Sequence, residues 1–389
     1  MGTKADKAER DKRFKRTREA MENAGLDALL VAGKGHWWTG RGYIRYFTDF
    51  FMWGHDALLL IPLDGEPAMT VTSHAVGDMV ADLGWVTDVR GACNLCDHTP
   101  PIIDAIKEKK LSNSKIGIAG MGMILPAGAY LNLKNDLPKV EFINSDEMMD
   151  RIRMAKSPLE QIQMREAWAV AKSAMMRFVE VAEPGKTMYE LAAEASKVAL
   201  SGGVRDQLIL MGEHDYRGPP CDIRVKCDDI LWYHMEMPGE SGHWLELTVT
   251  LAYREPTERE LKLMDSELKA YEALREIAKP GVTLGELAET YESVLIEDGW
   301  EWGEPRTGFD FHGQGLDGVE RPGWTEAKPW GQEMADWELP DGTTLSYHPR
   351  RAITPPVRGT GINEDLLITS KGGVRLSGDW ELRWLRMDK

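Results

Sequence analysis

Hydrophobic positions in the first 150 residues follow two different spacings. Residues 6–24 place apolar side chains at helical intervals between charged ones, which predicts an amphipathic helix. Short apolar runs come afterwards, several of them separated by helix-like stretches, at 27–33, 57–65, 68–72, 115–120 and 140–143. Strands interleaved with helices predict a small α/β domain with a mixed sheet, which we assign to residues 1–152.

The remainder of the chain contains an internal repeat. AEPGKTMYELAAE at 182–194 aligns with AKPGVTLGELAET at 278–290, so that Thr187 corresponds to Thr283. In each copy a helix ends at Pro-Gly, and the Thr, followed by Glu three residues later, predicts the start of a new helix. Two copies of this kind predict two similar helix-plus-strand halves, with a site between them, in a second domain over residues 153–389.

The stretch WYHMEMPGESGHWLELTVT, residues 232–250, reads as two strands joined at PGESG. Successive side chains of a strand alternate between faces, so His234 and Glu236 share one face while Glu246, Thr248 and Thr250 share another. Polar groups gathered in such an apolar background predict that this hairpin forms the floor of an active site.

The charge balance narrows the choice of partners. The net charge is −16, with 28% charged residues, which argues against nucleic acid and anionic membrane surfaces and favours a small cationic or zwitterionic substrate. The N-terminal segment lacks a signal-peptide core, and no segment approaches about 18 uninterrupted apolar residues. We therefore expect a cytoplasmic protein.

The four cysteines do not predict a zinc site. Cys93 and Cys96 form a CxxC pair, but Cys221 and Cys227 are spaced too widely to form a second closely spaced pair of zinc ligands. Reduced thiols are the expected state.

Further ligand-type residues lie on short β-like segments of the second half. They are His312 in HGQG, His348 in TLSYHPRR and Glu364 in NEDLLIT. Together with His234, Glu236 and Glu246 they come from separate strands of both halves. Such convergence is what a metal centre or an acid/base site requires.

These motifs occur in the order found in a known superfamily. HGQG at 312–315, ELTVT at 246–250 and NEDLLIT at 363–369, with RMAKSPLEQIQMREA and the N-terminal YIRYFTDFFMWGHDALLLIPLDGEP, resemble the pita-bread superfamily. That superfamily includes creatinase, prolidase, aminopeptidase P, methionine aminopeptidase and dimethylsulfoniopropionate lyase. The resemblance implies an α/β architecture in which a small creatinase-like N-terminal domain precedes a pseudo-twofold pita-bread α+β domain. It also implies a homodimer.

The resemblance is weaker at the metal ligands. It implies that His234 and Glu246 stand where metal-dependent members carry two Asp residues, and that His348 stands in place of a Glu. His312 and Glu364 are retained, and Glu236 matches an additional carboxylate of the lyase branch. Because neutral His and longer Glu change charge and reach, two hard divalent ions are not the expected occupants. A divalent metal (Zn, Fe or Mn) held by His234, Glu236, Glu246, His312, His348 and Glu364 and a metal-free acid/base site both remain open.

Creatinase offers the metal-free precedent. His214 falls in the loop where the resemblance places a substrate-contacting His, which is the catalytic base in creatinase. The resemblance therefore makes His214, His312 and Glu364 the candidate catalytic residues.

The predicted function is hydrolysis of a C–N bond in a small polar compound, zwitterionic or cationic, rather than conventional peptidase activity. Arginine side chains could hold a substrate carboxylate, and a tryptophan could face a substrate cation. The candidates for substrate binding are Arg217, Arg321, Arg350 and Trp324. Two alternatives stay open: a lyase that abstracts a proton and expels a leaving group, and a catalytically silent binding protein.

Overall fold

The computed structural model describes residues 6–36, 38–92, 97–300, 311–324, 332–348 and 360–387. Two compact units make up the chain, Met1–Arg153 and Met154–Lys389. Within the described ranges, no helix is both long enough and apolar enough to cross a bilayer. Of the cysteines, Cys221 and Cys227 are free thiols, whereas Cys93 and Cys96 lie outside the described residues.

The first unit is built on a six-stranded sheet with the order β4-β3-β2-β1-β5-β6. Its strands are Ala28–Gly33 (β1), Ala57–Pro62 (β2), Ala68–Val71 (β3), Asp88–Gly91 (β4), Lys115–Ala119 (β5) and Glu141–Asn144 (β6). Its helices are Lys7–Asn23 (α1), Gly42–Thr48 (α2), His74–Ala81 (α3), Pro100–Glu108 (α4), Ala127–Asp136 (α5) and Asp146–Met154 (α6).

The mixed sheet predicted for this region is confirmed. Strand β1 runs antiparallel to β2 and parallel to β5. All six residues of β1 and of β2 are buried, as expected for central strands covered on both faces. Strand β4 was not predicted, because DVRG contains a single apolar residue and gives no hydrophobic run.

The second unit contains two five-stranded sheets, ordered β16-β10-β9-β7-β8 and β12-β11-β13-β14-β15. Its helices are Pro158–Val181 (α7), Met188–Ser201 (α8), Glu258–Ile277 (α9) and Leu284–Glu297 (α10). The strands of the first sheet are Leu208–Glu213 (β7), Tyr216–Gly218 (β8), Ile230–Pro238 (β9), Trp244–Ala252 (β10) and Leu385–Arg386 (β16). Those of the second are Phe311–Gly313 (β11), Glu320–Trp324 (β12), Thr344–Tyr347 (β13), Glu364–Thr369 (β14) and Gly372–Arg375 (β15).

The internal repeat corresponds to two equivalent helix pairs, as predicted. Thr187 caps α8 and Thr283 caps α10, each in a full capping box with the Glu three residues later. Each Thr also makes an isolated β-bridge to a later segment, Thr187 to Arg224 and Thr283 to Glu338. The same local sequence therefore starts an equivalent helix in both halves and makes an equivalent backbone bridge beside it.

The β9–β10 hairpin has one apolar face and one polar face. Leu231, Tyr233, Leu245 and Leu247 alternate onto one face and join the hydrophobic cluster formed with α7 and α8. The register pairs Glu236 with Glu246, and His234 with Thr248. The polar residues of both strands therefore share one face of the hairpin. The expectation that His234 and Glu236 lie on a different face from Glu246 is wrong.

The second sheet sorts its residues in the same way. Phe311, Leu345 and Tyr347 belong to a second hydrophobic cluster with α9 and α10. His312, which follows Phe311, and Ser346, which precedes Tyr347, therefore lie on the opposite face, where they pair with each other in register. Two amphipathic sheets thus each leave one face for polar groups.

Candidate active site

Glu246 lies at the centre of a cluster contributed by both sheets. The side chain is 1% exposed. Its Oε1 accepts hydrogen bonds from His312 Nε2 at 2.7 Å and from Gln314 Nε2 at 3.0 Å. Its Oε2 accepts from Asn363 Nδ2 at 3.2 Å, and His348 Nε2 lies 3.8 Å away. A carboxylate from the first half is thus surrounded by nitrogen donors from the second.

His312 is held between two acceptors. Its Nδ1 lies 3.0 Å from the carbonyl oxygen of Gly313, and its Nε2 faces Glu246. Neither oxygen can donate a proton if Glu246 is ionised, so both ring nitrogens must carry hydrogen. The contacts therefore favour an imidazolium ion paired with a buried carboxylate.

The pKa directions agree with this ion pair. Burial alone would raise the pKa of the Glu246 carboxyl, but His312 and His348 outweigh it and hold that pKa well below its usual range. Burial alone would lower the pKa of His312, but the charge of Glu246 and its hydrogen bond raise it above the ordinary value. Each member of the pair stabilises the charged form of the other.

A second polar pair lies on the hairpin next to Glu246. His234 Nε2 is 3.1 Å from Glu236 Oε1, and its Nδ1 is 2.9 Å from the hydroxyl of Thr248. Both His234 and Glu236 are 6% exposed. Because Glu236 is directly opposite Glu246 in the register, the two pairs face a common region.

The described residues include candidate metal-binding clusters. Glu246, His312 and His348 offer ligand atoms within 4.8 Å of one another, as do His234, Glu236 and Glu246. These two sets contain only two carboxylates, Glu236 and Glu246. Their negative charge is too small to balance the positive charge of two divalent ions. Glu246, the shared member, already receives an amide N–H on each oxygen, and both nitrogens of His312 face acceptors. The donor set and its contacts therefore do not fit a centre of two divalent ions.

Glu364 does not join the cluster, and the prediction that it does is wrong. It pairs in register with Tyr347, so its side chain lies on the face of the hydrophobic core. There its carboxylate accepts from Arg375 Nε at 2.7 Å and from the Ser377 hydroxyl. Its neighbour Asp365 points the other way and accepts from the backbone N–H of Glu246 at 3.3 Å.

His214 lies apart from the Glu246 cluster. It occupies the turn after β7, with a left-handed φ of 53°, four residues beyond Leu210, which pairs with His234. Four extended residues span about 13 Å. Its Nε2 is 2.6 Å from Asp228 Oδ1, and its side chain is 37% exposed. The structure therefore does not bring His214 together with His312, and its catalytic role remains a prediction.

The predicted substrate-binding residues lie in different environments from one another. Arg217 places its guanidinium 3.9 Å from the ring centroid of Trp232, which in turn stacks on His234 at 5.6 Å. Arg321 is exposed on β12, and Arg350 lies outside the described residues. Trp324 is buried in the core cluster because it pairs with Phe311 in register, so its assignment as a substrate contact is corrected.

Three residues of the cluster were not predicted from the sequence. Gln314, Asn363 and Asp365 are each at most 2% exposed and contact Glu246. HGQG and NEDLLIT contain all three, and the alternation of side chains in β14 groups Asn363 with Asp365 without showing which face meets Glu246. It places Asn363 and Asp365 on the face opposite Glu364.

The comparisons with known proteins agree with this architecture. The creatinase/prolidase N-terminal domain matches residues 13–155, and metallopeptidase family M24 matches residues 162–378. Putative dipeptidase YkvY of Bacillus subtilis (strain 168) is 23% identical over 377 residues, which is 94% of this chain and 97% of that protein. Ectoine hydrolase of Halomonas elongata is 23% identical over 401 residues, 92% of this chain and 93% of that one.

A solved structure shows the same fold. The Xaa-Pro dipeptidase from Bacillus anthracis superposes with a TM-score of 0.76 at 19% identity, over 97% of this chain and 100% of that one. This structure and the two family matches together confirm the resemblance to the pita-bread superfamily and the predicted fold class. The chain belongs to metallopeptidase family M24 and is an enzyme of the hydrolase class.

Proposed function

We propose that this protein hydrolyses a C–N bond in a small zwitterionic or cationic compound by acid/base chemistry and is not a conventional peptidase. The observation that carries the proposal is the buried pair of His312 and Glu246, 2.7 Å apart and supplied by the two halves. A histidine kept protonated by a neighbouring carboxylate is a general acid available at neutral pH.

His312 would act on the leaving nitrogen. Expulsion of an amine from a tetrahedral intermediate requires that the nitrogen be protonated as the C–N bond breaks. His312 supplies this proton from Nε2, and the leaving nitrogen replaces Glu246 Oε1 as the acceptor of that hydrogen, because the Nδ1 hydrogen is donated to the carbonyl oxygen of Gly313. Glu246 stabilises the imidazolium beforehand. Proton transfer of this kind contributes about 10²- to 10⁴-fold to the rate.

Glu236 would act on the attacking water. It lies opposite Glu246 in the hairpin register and receives the Nε2 hydrogen of His234, which orients its carboxylate. As the water oxygen bonds to the reacting carbon, one water proton passes to Glu236 while the nitrogen takes the proton of His312. The proton on Glu236 then returns through solvent to regenerate the imidazolium.

The charges around the centre support a zwitterionic substrate. Glu236 provides negative charge for a cationic group. Arg217, stacked over Trp232 at the other end of the same strand face, provides a guanidinium for a carboxylate. A small molecule with both charges would be oriented along the row from Trp232 through His234 to Glu236.

The relatives bear on the reaction but do not identify the substrate. Their names, a putative dipeptidase and an ectoine hydrolase, both describe hydrolysis, the first of dipeptides and the second of ectoine. They give no support to the lyase alternative. The catalytically silent binding protein remains the other alternative, since it predicts the same fold without turnover.

A substrate screen in ¹⁸O-labelled water tests the proposal. The panel combines Xaa-Pro dipeptides with small zwitterions that contain an amide, ureide or amidine bond. We expect ¹⁸O in the acyl product of a member of the second group, and loss of this turnover in His312→Asn. An unlabelled alkene product would establish a lyase, preferential cleavage of Xaa-Pro dipeptides would establish a peptidase, and ligand binding without turnover would establish a binding protein.

Homodimerisation and a cytoplasmic location also belong to the proposal. Light scattering of the full chain, with a mass twice that of the 43.7 kDa monomer, is the expected result for a homodimer.

A further inference from the structure

Two amide side chains hold the central carboxylate from opposite sides. Gln314 Nε2 donates to Oε1 of Glu246 at 3.0 Å, and Asn363 Nδ2 donates to Oε2 at 3.2 Å. The proposed general acid, His312, needs only its own hydrogen bond to this carboxylate. The two amides are therefore additional to the proposed acid/base chemistry.

Both amides are fixed in place by their surroundings. The hydroxyl of Thr344 donates to the backbone oxygen of Gln314 at 2.6 Å, and Asn363 Nδ2 also lies 3.3 Å from the hydroxyl of Ser346. Gln314 is 0% exposed and Asn363 is 2% exposed. Their nitrogens, rather than their oxygens, must face Glu246 because a carboxylate and an amide oxygen are both acceptors. The amide oxygens, Gln314 Oε1 and Asn363 Oδ1, are buried and find no hydrogen-bond partner in the described part of the chain.

This arrangement competes with metal binding. A carboxylate shared by two ions must direct lone pairs from both of its oxygens at cations. In Glu246 each oxygen already accepts an N–H from an amide, and an amide nitrogen cannot itself bind a cation. An ion could reach Glu246 only by turning these buried donors away from their acceptor.

We propose that Gln314 and Asn363 are specificity-determining residues that keep Glu246 as a hydrogen-bond acceptor and exclude divalent metal ions from this centre. This inference rests on the proposed function in one respect, because both take the cluster around Glu246 as the active site. Its substitution test is metal binding, which needs no substrate, so failure of the proposed hydrolysis leaves it intact.

Replacing the amides by acids of the same shape tests the inference. In Gln314→Glu/Asn363→Asp, two N–H donors become two carboxylates beside Glu246 at nearly unchanged volume. The full-length proteins are purified without chelator, their Zn and Mn content is measured by mass spectrometry, and each is titrated with Zn²⁺ and with Mn²⁺ by calorimetry. We expect substoichiometric metal in the wild type and a gain of about 10- to 100-fold in affinity for one of the two ions in the double variant.

The control adds a charge elsewhere. Asn135→Asp is an amide-to-acid change at an exposed position of α5 and should leave metal affinity unchanged. Circular dichroism checks the fold of each variant, and Asn363→Asp alone replaces the double variant if the latter does not fold. Stoichiometric metal in the wild type would overturn the inference, as would a folded variant without increased affinity or an equal gain in Asn135→Asp.

Discussion

His312 Nε2 lies 2.7 Å from Glu246 Oε1, which joins the two pseudo-equivalent halves of the second unit through one buried ion pair. Glu246 is on β10, in the sheet packed against α7 and α8, and His312 is on β11, in the sheet packed against α9 and α10. The centre thus takes residues from both halves, and neither half could form it alone.

Replacing His312 should remove catalysis more than stability. In His312→Asn the proton donor to the leaving nitrogen is lost, so we expect kcat to fall by about 10²- to 10⁴-fold. The matched control is His243→Asn, which alters another buried His–Glu pair, with Nε2 3.3 Å from Glu160. The control should unfold at lower denaturant concentration and keep its kcat. Equal kcat losses in the two variants would show that the effect is structural.

The ion pair should stabilise the fold over a limited pH range. The pKa of Glu246 is lowered from 4.5, so its contribution is present above that value and is lost as pH falls through the folded pKa. The pKa of His312 is raised from 6.5, so its contribution is complete below that value and is lost as pH rises through the folded pKa. The stability difference between the wild type and Glu246→Gln/His312→Asn should therefore be greatest between 4.5 and 6.5. Urea unfolding across a pH series measures it, and a difference independent of pH would contradict the pairing.

Glu364 should matter for stability and not for turnover. Glu364→Gln removes a buried partner of Arg375 and Ser377, and we expect a loss of about 1–3 kcal/mol in the free energy of unfolding. A double-mutant cycle with Arg375→Gln should reveal their coupling. The control Glu272→Gln, at a residue paired with Arg275 on the exposed surface of α9, should cost no more than about 0.5 kcal/mol. A large fall in kcat for Glu364→Gln would instead return Glu364 to the active site.

His214 should affect substrate binding rather than the chemical step. It is partly exposed beside Asp228 and lies apart from His312 and Glu246, so His214→Ala is expected to raise KM with little change in kcat. Asp228→Ala should have a similar effect, because it removes the acceptor that orients the ring. If kcat falls as far as in His312→Asn, His214 is the catalytic base implied by the resemblance to creatinase.

The sequence predicted the architecture of the second unit because local signals specify it. The Thr–Glu capping boxes at 187–190 and 283–286 start α8 and α10, and alternation in 232–250 defines the hairpin. Each of these signals depends on side chains a few residues apart. Interactions at that range can be read without knowing the tertiary fold.

The details of the centre depended on strand register, which is a long-range property. Glu364 and Asp365 are adjacent carboxylates, and only the pairing of Glu364 with Tyr347 decides which of them faces Glu246. The same applies to Trp324, whose pairing with Phe311 places it in the core. Gln314 and Asn363 are uncharged amides rather than the His, Cys or carboxylate ligands typical of Zn, Fe or Mn, so their residue types alone did not predict that they belong to the centre.

The protonation state of His312 tests the central claim most directly. Nitrogen NMR of the ¹⁵N-histidine-labelled protein at pH 7, with the His312 signals assigned by their absence in His312→Asn, distinguishes an imidazolium from a neutral ring. We predict that both ring nitrogens carry hydrogen and that Glu246→Gln converts the ring to a neutral form. A neutral ring in the wild type, or a nitrogen coordinated to a metal, would contradict the account.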